Sequence, residues 1–172
     1  MATIKEMMGL NRADYSTVEK DFEDIVSRIL ENEEILKLLY FNTPDCLQEG
    51  KTEITGEIIN EIAAENLRIV PSFKIPKNKG SFIIITFDSF TPNQENPEFM
   101  DNIILFDVLC PEDLWMMDDY MMRPFRIMHE LQRTFNEKTL NGIGKVYGLG
   151  SSLLNIGDYN GYQMAFSVIN DA

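Results

Sequence analysis

Apolar residues in the first part of the chain recur with helical spacing. They share one predicted helix face, at Val18, Phe22, Ile25, Ile29 and Leu36. The spacing predicts a single amphipathic helix from about Ser16 to Tyr40, and Ser16 opens a capping-box sequence with Glu19. Pro44 and Gly50 interrupt the pattern.

A second helical pattern precedes Asn66, where we expect the helix to end. Ile54, Ile58 and Ile62 share one face. An acidic row lies beside them, at Glu53, Glu57, Glu61 and Glu65. This arrangement predicts a helix with a buried isoleucine stripe and an exposed acidic side.

From Leu67 the pattern becomes typical of strands. The runs "LRIVPSFKI" and "SFIIITFDSF" are separated by "PKNKG", which predicts a β-hairpin. Pro71 places the first run at a sheet edge or a bulge. A third strand, Asn102 to Cys110, follows the long connection "TPNQENPEFMD".

A third helix is predicted from about Met122 to Asn136, and two strands follow it. The segment "PEDLWMMDDYMM" before the helix predicts a short helical turn, whose tryptophan and methionines belong either to the core or to an adaptable interface. Asn141–Gly142 is expected to cap the helix. The last strands are predicted at about 145–154 and 161–169, with bends or bulges at Gly148 and Gly150.

These elements predict an α+β fold. We expect a mainly antiparallel sheet of about five strands, helices packed on one face, and two N-terminal helices. The 172 residues predict one domain, with a helical portion at 1–66 and a sheet-plus-helix portion at 67–172. No stretch approaches the roughly 20 apolar residues of a membrane span, so we expect no membrane association.

Charge changes the picture of possible partners. The net charge is -13, and residues 80–122 contain nine acids and no base. A broad duplex-binding face is excluded, because DNA affinity depends on lysine and arginine releasing counterions. Two interpretations remain besides simple solubility: a surface to which DNA does not adhere, or a surface that mimics DNA. The concentrated positive charge lies in the predicted hairpin, at Lys74, Lys77 and Lys79.

Candidate catalytic chemistry is weak. The glycines of "TLNGIGKVYGLG" follow a helix and precede a strand, the reverse of a phosphate-binding loop, and their spacing fits neither phosphate-binding motif. His129 has no partner at ligand spacing, and Cys46 and Cys110 are expected to be reduced, partly buried thiols. We assign no catalytic, cofactor-binding or metal-binding residue and expect no cofactor and no enzyme activity.

The residues from Leu67 to Ala172 carry a resemblance. The runs "SFIIITFDSFTPNQENPEFMDNIILFDVLCP", "RPFRIMHELQRTFNEKTLNGIGKVYGLGSSLL" and "GYQMAFSVIND" resemble the tail terminator and head-to-tail joining proteins of tailed bacteriophages. The resemblance implies a small structural virion subunit that forms a ring at the neck or upper tail end, six-fold or, less typically, twelve-fold. It implies neck, connector and tail proteins as partners, passage of DNA without specific binding, and assembly in the host cytoplasm. The alternatives are an acidic DNA-mimic inhibitor of a nucleic-acid enzyme and a cellular adaptor domain.

The open edges of an antiparallel sheet fit a ring, because a neighbouring copy can satisfy them. We place the interface on the loop from Thr91 to Asp101 and on nearby aromatic residues. The candidate interface residues are Phe90, Pro92, Pro97, Phe99 and Trp115. The basic hairpin with Lys74, Lys77 and Lys79 is expected to face the channel or an acidic neighbour.

Overall fold

The protein has four helices and one six-stranded sheet in the residues that the computed structural model describes, 16–69, 80–92, 100–140 and 144–169. The helices are α1 (Ser16–Leu30), α2 (Glu33–Tyr40), α3 (Gly56–Glu65) and α4 (Arg123–Phe135). The strands are β1 (Leu67–Arg68), β2 (Phe82–Pro92), β3 (Met100–Pro111), β4 (Thr139–Leu140), β5 (Gly144–Ile156) and β6 (Tyr159–Ile169). Two 3-10 turns, Glu112–Leu114 and Asp118–Tyr120, precede α4. The predicted α+β fold is confirmed, with β4 as an additional strand of two residues.

The sheet has the order β1-β2-β3-β6-β5-β4 and is antiparallel except at one edge. There β1 pairs parallel to β2, with Leu67 opposite Ile83 and Arg68 opposite Ile84. The predicted hairpin is therefore wrong at these residues. A parallel partner requires the chain to cross back to the same end of the sheet, which a tight turn cannot do.

The single N-terminal helix that the apolar spacing predicts is also wrong. The chain breaks after Leu30, and α2 starts again with Asn32 as its N-cap, whose side chain accepts a hydrogen bond from the Ile35 N–H at 3.1 Å. The Asn32 amide also donates to the Thr134 hydroxyl of α4 at 3.1 Å. Asparagine favours helix N-caps because its side chain satisfies a free backbone N–H.

The main core lies between the helices and one face of the sheet, which we call the helix face. Phe106 of β3 stacks on Phe135 of α4, with ring centroids 5.1 Å apart, and meets Phe166 of β6 at 5.6 Å. The same buried cluster includes Ile29 of α1 and Ile35 of α2. The N-terminal helices and the sheet therefore share one hydrophobic core.

The opposite face has a smaller cluster of buried side chains. Its members are Phe82, Ile84, Leu109 and Tyr159. Gly161 lies in this region, and a β-carbon at that position would overlap the carbonyl oxygen of Val108. A glycine is required there because the neighbouring backbone approaches so closely.

The chain leaves α4 earlier than the sequence predicts. The helix ends at Phe135, and the Asn136 N–H donates to the Gln132 carbonyl at 2.9 Å. Glu137 then turns the chain with a φ of 59°, and β4 follows. Since β4 separates the helix from Asn141–Gly142, the predicted cap is wrong, and those two residues lie outside the described part.

Candidate assembly surface

The side of β5 away from β6 is a sheet edge, which the described residues cover only at its beginning. β4 pairs with Gly144 and Lys145, and the backbone of Lys138 and Glu137 bonds Val146 at 2.9 and 2.7 Å. The Gly148 N–H donates to the Asn136 side chain at 2.9 Å. From Leu149 to Ile156, no described residue pairs with β5 on the side away from β6, and we call this stretch the β5 edge.

The hydrogen-bonding alternation identifies which backbone groups point out of the β5 edge. In an antiparallel pair, every second residue directs its N–H and C=O away from the partner strand. Val146 and Gly148 point outward, as their bonds to other groups show. The predicted bulge is confirmed between Gly148 and Gly150, and it shifts the alternation by one residue. The outward residues beyond it are Ser151, Leu153 and Asn155.

The opposite margin of the sheet has a second uncovered stretch. β1 covers β2 at Ile83 and Ile84, and the Ile83 N–H donates to the Asn66 carbonyl at 2.9 Å. By the same alternation, the backbone groups of Ile85 and Phe87 point away from β3. No described residue pairs with them, and we call this stretch the β2 edge. Among the described residues, the sheet therefore has one uncovered edge stretch at each side.

A groove of about 440 Å³ runs along the β5 edge, between α4 and β5. Leu149 and Ser151 line its strand side, and Phe125 and His129 line its helix side. Leu149 is 58% exposed, and Leu153, farther along the strand, is 62% exposed. Such exposure is unusual for leucines on a strand with an unpaired edge, because exposed apolar side chains and free backbone groups together invite association with another chain.

An aromatic strip adjoins this groove. The Tyr162 ring lies 5.0 Å from Phe125 and 6.4 Å from Trp115, measured between centroids. The Trp115 indole N–H donates to the Cys110 carbonyl at 3.2 Å, so the ring is held by its own chain. Trp115 is half-buried beside an exposed Phe125. Its role in an interface stays a prediction.

The methionines before α4 divide between core and surface. Met117 is buried, whereas Met116, Met121 and Met122 are exposed. Exposed methionines suit an adaptable contact surface because the side chain is flexible and polarisable. The sequence left both interpretations open, and the structure assigns one methionine to the core and three to the surface.

The other predicted interface residues fall into two groups. Phe90 is half-buried on its own subunit and stacks on Phe87, with centroids 5.7 Å apart. The Pro92 side chain and the residues Pro97 and Phe99 lie outside the described part, as do Lys74, Lys77 and Lys79. The loop and hairpin hypotheses therefore remain predictions.

Sequence reasoning missed Phe125, Leu149 and Leu153. The signal was present in the run "GLGSSLL", where leucines stand between small residues in a predicted strand. Spacing alone does not tell whether such leucines face a core or solvent. That distinction depends on which parts of the sheet face other elements cover, and Leu149 and Leu153 are left exposed.

The buried charged residues are engaged in structural contacts. Arg123 is fully buried, and its guanidinium donates to four backbone carbonyls at 2.7 to 3.0 Å. Glu130, also buried, accepts from Arg133 at 3.1 Å and from the Asn32 amide at 3.3 Å. These bonds connect the 3-10 turn, α2 and α4.

The groups with shifted pKa values do not form a common site. Burial raises the pKa of Cys110 to about 11 and also raises the pKa of Cys46, and both thiols are unpaired and buried. Burial likewise raises the pKa of Asp107, although a hydrogen bond from Gln163 at 2.8 Å opposes the shift. Asp107 and Cys110 lie on opposite faces of β3 because they are three positions apart, an odd number. In the described ranges no helix is long and apolar enough to cross a membrane.

Comparison with known proteins identifies the family. No curated protein and no solved structure matches the chain. The model of the YomW protein family, which carries the name of a phage-like Bacillus gene, matches residues 32–168, well over half of the 172 residues. The matched range includes α2 to α4 and nearly all of the sheet. The chain therefore belongs to the YomW family, which indicates a phage-associated protein.

Proposed function

We propose that this protein is a structural virion component that forms a homo-oligomeric ring at the phage neck or upper tail end. It joins head to tail, terminates or caps the tail, and lets DNA pass. The proposed role involves no catalysis and no cofactor. Family membership supports the phage context, and the open sheet edges support assembly into a ring.

One observation carries the proposal: in the part of the chain that the structure describes, two uncovered edge stretches lie at opposite sides of one mainly antiparallel sheet. An edge strand left in solvent is an aggregation hazard, and soluble proteins usually block it. Two different edges on one chain favour a head-to-tail contact, and head-to-tail contacts close into rings when the rotation is right. Six-fold closure is favoured by the resemblance to tail terminators, and twelve-fold closure by a position next to a portal connector.

The acidic surface fits a channel protein. Exposed glutamates follow one another along α3, at Glu57, Glu61 and Glu65. In a ring lining they would repel phosphates, so that DNA moves through without adhering. The exposed Met116, Met121 and Met122 supply a surface for neck and tail proteins.

The alternative of a DNA mimic is less well supported. A mimic requires carboxylates arranged like phosphates on one exposed face. Asp107 instead is half-buried in the sheet, where it accepts a hydrogen bond from Gln163. At least one acid of β3 therefore makes a hydrogen bond within the sheet instead of forming part of a phosphate-like surface. The row of exposed glutamates on α3 is short.

The proposal is tested by disrupting the gene in the phage that carries it. We expect lysates with DNA-filled heads and separate tails of irregular length in electron micrographs, and restoration of joined particles when the intact chain is supplied in trans. Mass spectrometry of purified particles should also detect the protein. Normal plaques and normal particles after disruption would show that the proposal is wrong.

A further inference from the structure

We propose that neighbouring copies join through their sheet edges, so that the β5 edge of one chain pairs antiparallel with the β2 edge of the next. This inference rests on the ring of the proposed function and names its contact. The occupant of the β5 edge is thus a second copy of this chain. The result is one sheet that continues from subunit to subunit.

Strand direction supports this pairing. The four long strands follow one another as β2, β3, β6 and β5, and each neighbouring pair is antiparallel. Because their number is even, β2 and β5 run in opposite directions. Rotating a copy about an axis roughly along the strands therefore brings its β2 antiparallel to β5. The alternation continues without a break around the ring.

The positions of β1 and β4 determine which part of β2 in one copy can pair with which part of β5 in the next. β1 covers the beginning of β2, and β4 covers the beginning of β5, and none of the residues that the structure describes covers the later part of either strand. The paired residues can be followed across the strands from β5 to β2. Along such a line Leu153 lies level with Ile83, whereas Gly148 lies level with Phe87. Pairing Leu153 with Phe87 thus needs a stagger of about four residues, or roughly 13 Å. Closed sheets have such a stagger between strands.

The exposed leucines gain a partner in this arrangement. Leu153 lies opposite Tyr162, on the helix face of the sheet. The helix face of β2 is covered by α1 of its own chain, where Phe22 meets Phe87 at 6.0 Å. An incoming β2 would therefore bring its α1 alongside α4 and close the groove. Both the strand layer and the helix layer would continue across the contact.

Cysteine crosslinking tests the contact, because the native thiols are buried and unpaired. Asp88→Cys on the β2 edge is combined in turn with Ser151→Cys, Leu153→Cys or Asn155→Cys on the β5 edge. We expect at least one double variant to give a ladder of disulfide-linked oligomers under mild oxidation, and each single variant to give none. The matched control joins Leu153→Cys with Glu49→Cys, which is exposed in the segment between α2 and α3 and outside both edge strands. The control should give no ladder.

The experiment is run on concentrated purified protein and on phage particles, so that the contact and the function are judged separately. A ladder in either sample supports edge pairing. Protein that is incorporated into particles without any ladder overturns edge pairing and leaves the proposed function standing. If the purified protein forms a ladder but the protein is absent from phage particles, the function is overturned and the contact stands. A dimer from Leu153→Cys alone indicates contact between β5 edges and overturns the proposal.

A proline pair checks that the backbone itself makes the contact. Leu153→Pro removes an N–H that points outward and has no described partner, so the monomer should melt within a few degrees of the parent and yet fail to assemble. Leu154→Pro removes an N–H directed at Gly161 of β6 and should lower the melting temperature strongly. Normal assembly of Leu153→Pro would contradict the proposed pairing.

Discussion

Replacement of the buried Arg123 tests how the helical and sheet portions are held together. Its Nε donates to the Leu114 carbonyl at 3.0 Å, and its terminal nitrogens donate to the carbonyls of Leu38, Phe41 and Thr43 at 2.7 to 2.8 Å. Leu38 lies in the last turn of α2, where free carbonyls carry partial negative charge. One side chain thus satisfies the end of α2 and the turn before α4.

The magnitude follows from the carbonyls that lose their donor. Arg123→Met keeps much of the side-chain volume but removes every N–H of the guanidinium. A buried polar group without a partner costs about 1 to 3 kcal/mol, and four carbonyls are affected. Relief from burying a charge offsets part of this cost. We expect a loss of about 4 kcal/mol, a large share of the roughly 5 to 15 kcal/mol that stabilises a typical domain.

Urea unfolding followed by circular dichroism measures this loss. Arg123→Lys should retain about half of the stability that Arg123→Met loses. An ammonium keeps the charge but cannot reach all the carbonyls that three separate guanidinium nitrogens bond. The matched control is Lys138→Met, an exposed basic residue three positions beyond α4, whose loss should cost less than about 1 kcal/mol. A cost below about 1 kcal/mol for Arg123→Met would refute the reasoning.

Gly161, Asp107 and the two cysteines give three further expected outcomes. Gly161→Ala should cost at least about 3 kcal/mol by thermal melting, because the backbone must move, whereas Gly56→Ala, with no atom near its added carbon, should change little. Equal melting of the two variants would contradict this. Burial raises the pKa of Asp107, so the folded state binds its proton more tightly, and this contribution to stability is lost as pH rises through the raised pKa. Asp107→Asn should therefore be more stable than the parent at pH 7 and nearly equal to it at pH 3 in urea unfolding, and a pH-independent difference would refute the assignment. Cys46 and Cys110 should resist alkylation at pH 8 in the native protein and react in denaturant, since burial raises both pKa values; stoichiometric native labelling by mass spectrometry would show the thiols to be accessible.

The sequence alone predicted the elements whose formation depends on neighbouring residues. Helical spacing identified α3 and α4 to within about two residues, and strand patterns identified β2, β3, β5 and β6. The bulge near Gly148 was also predictable, because glycine permits a local distortion of the strand. These features arise from backbone preferences and side-chain spacing within a few positions.

Only the tertiary structure decided the features that depend on distant residues. The break at Asn32 involves Thr134, about a hundred positions away, and Arg123 is buried against carbonyls of α2. The parallel direction of β1 and the early end of β4 determine where the sheet edges stay open. Local patterns do not encode such pairings, because their energy comes from contacts made only after the chain has closed long loops. For this reason the sequence predicted a sheet, and the folded chain determined which of its edges a neighbour can reach.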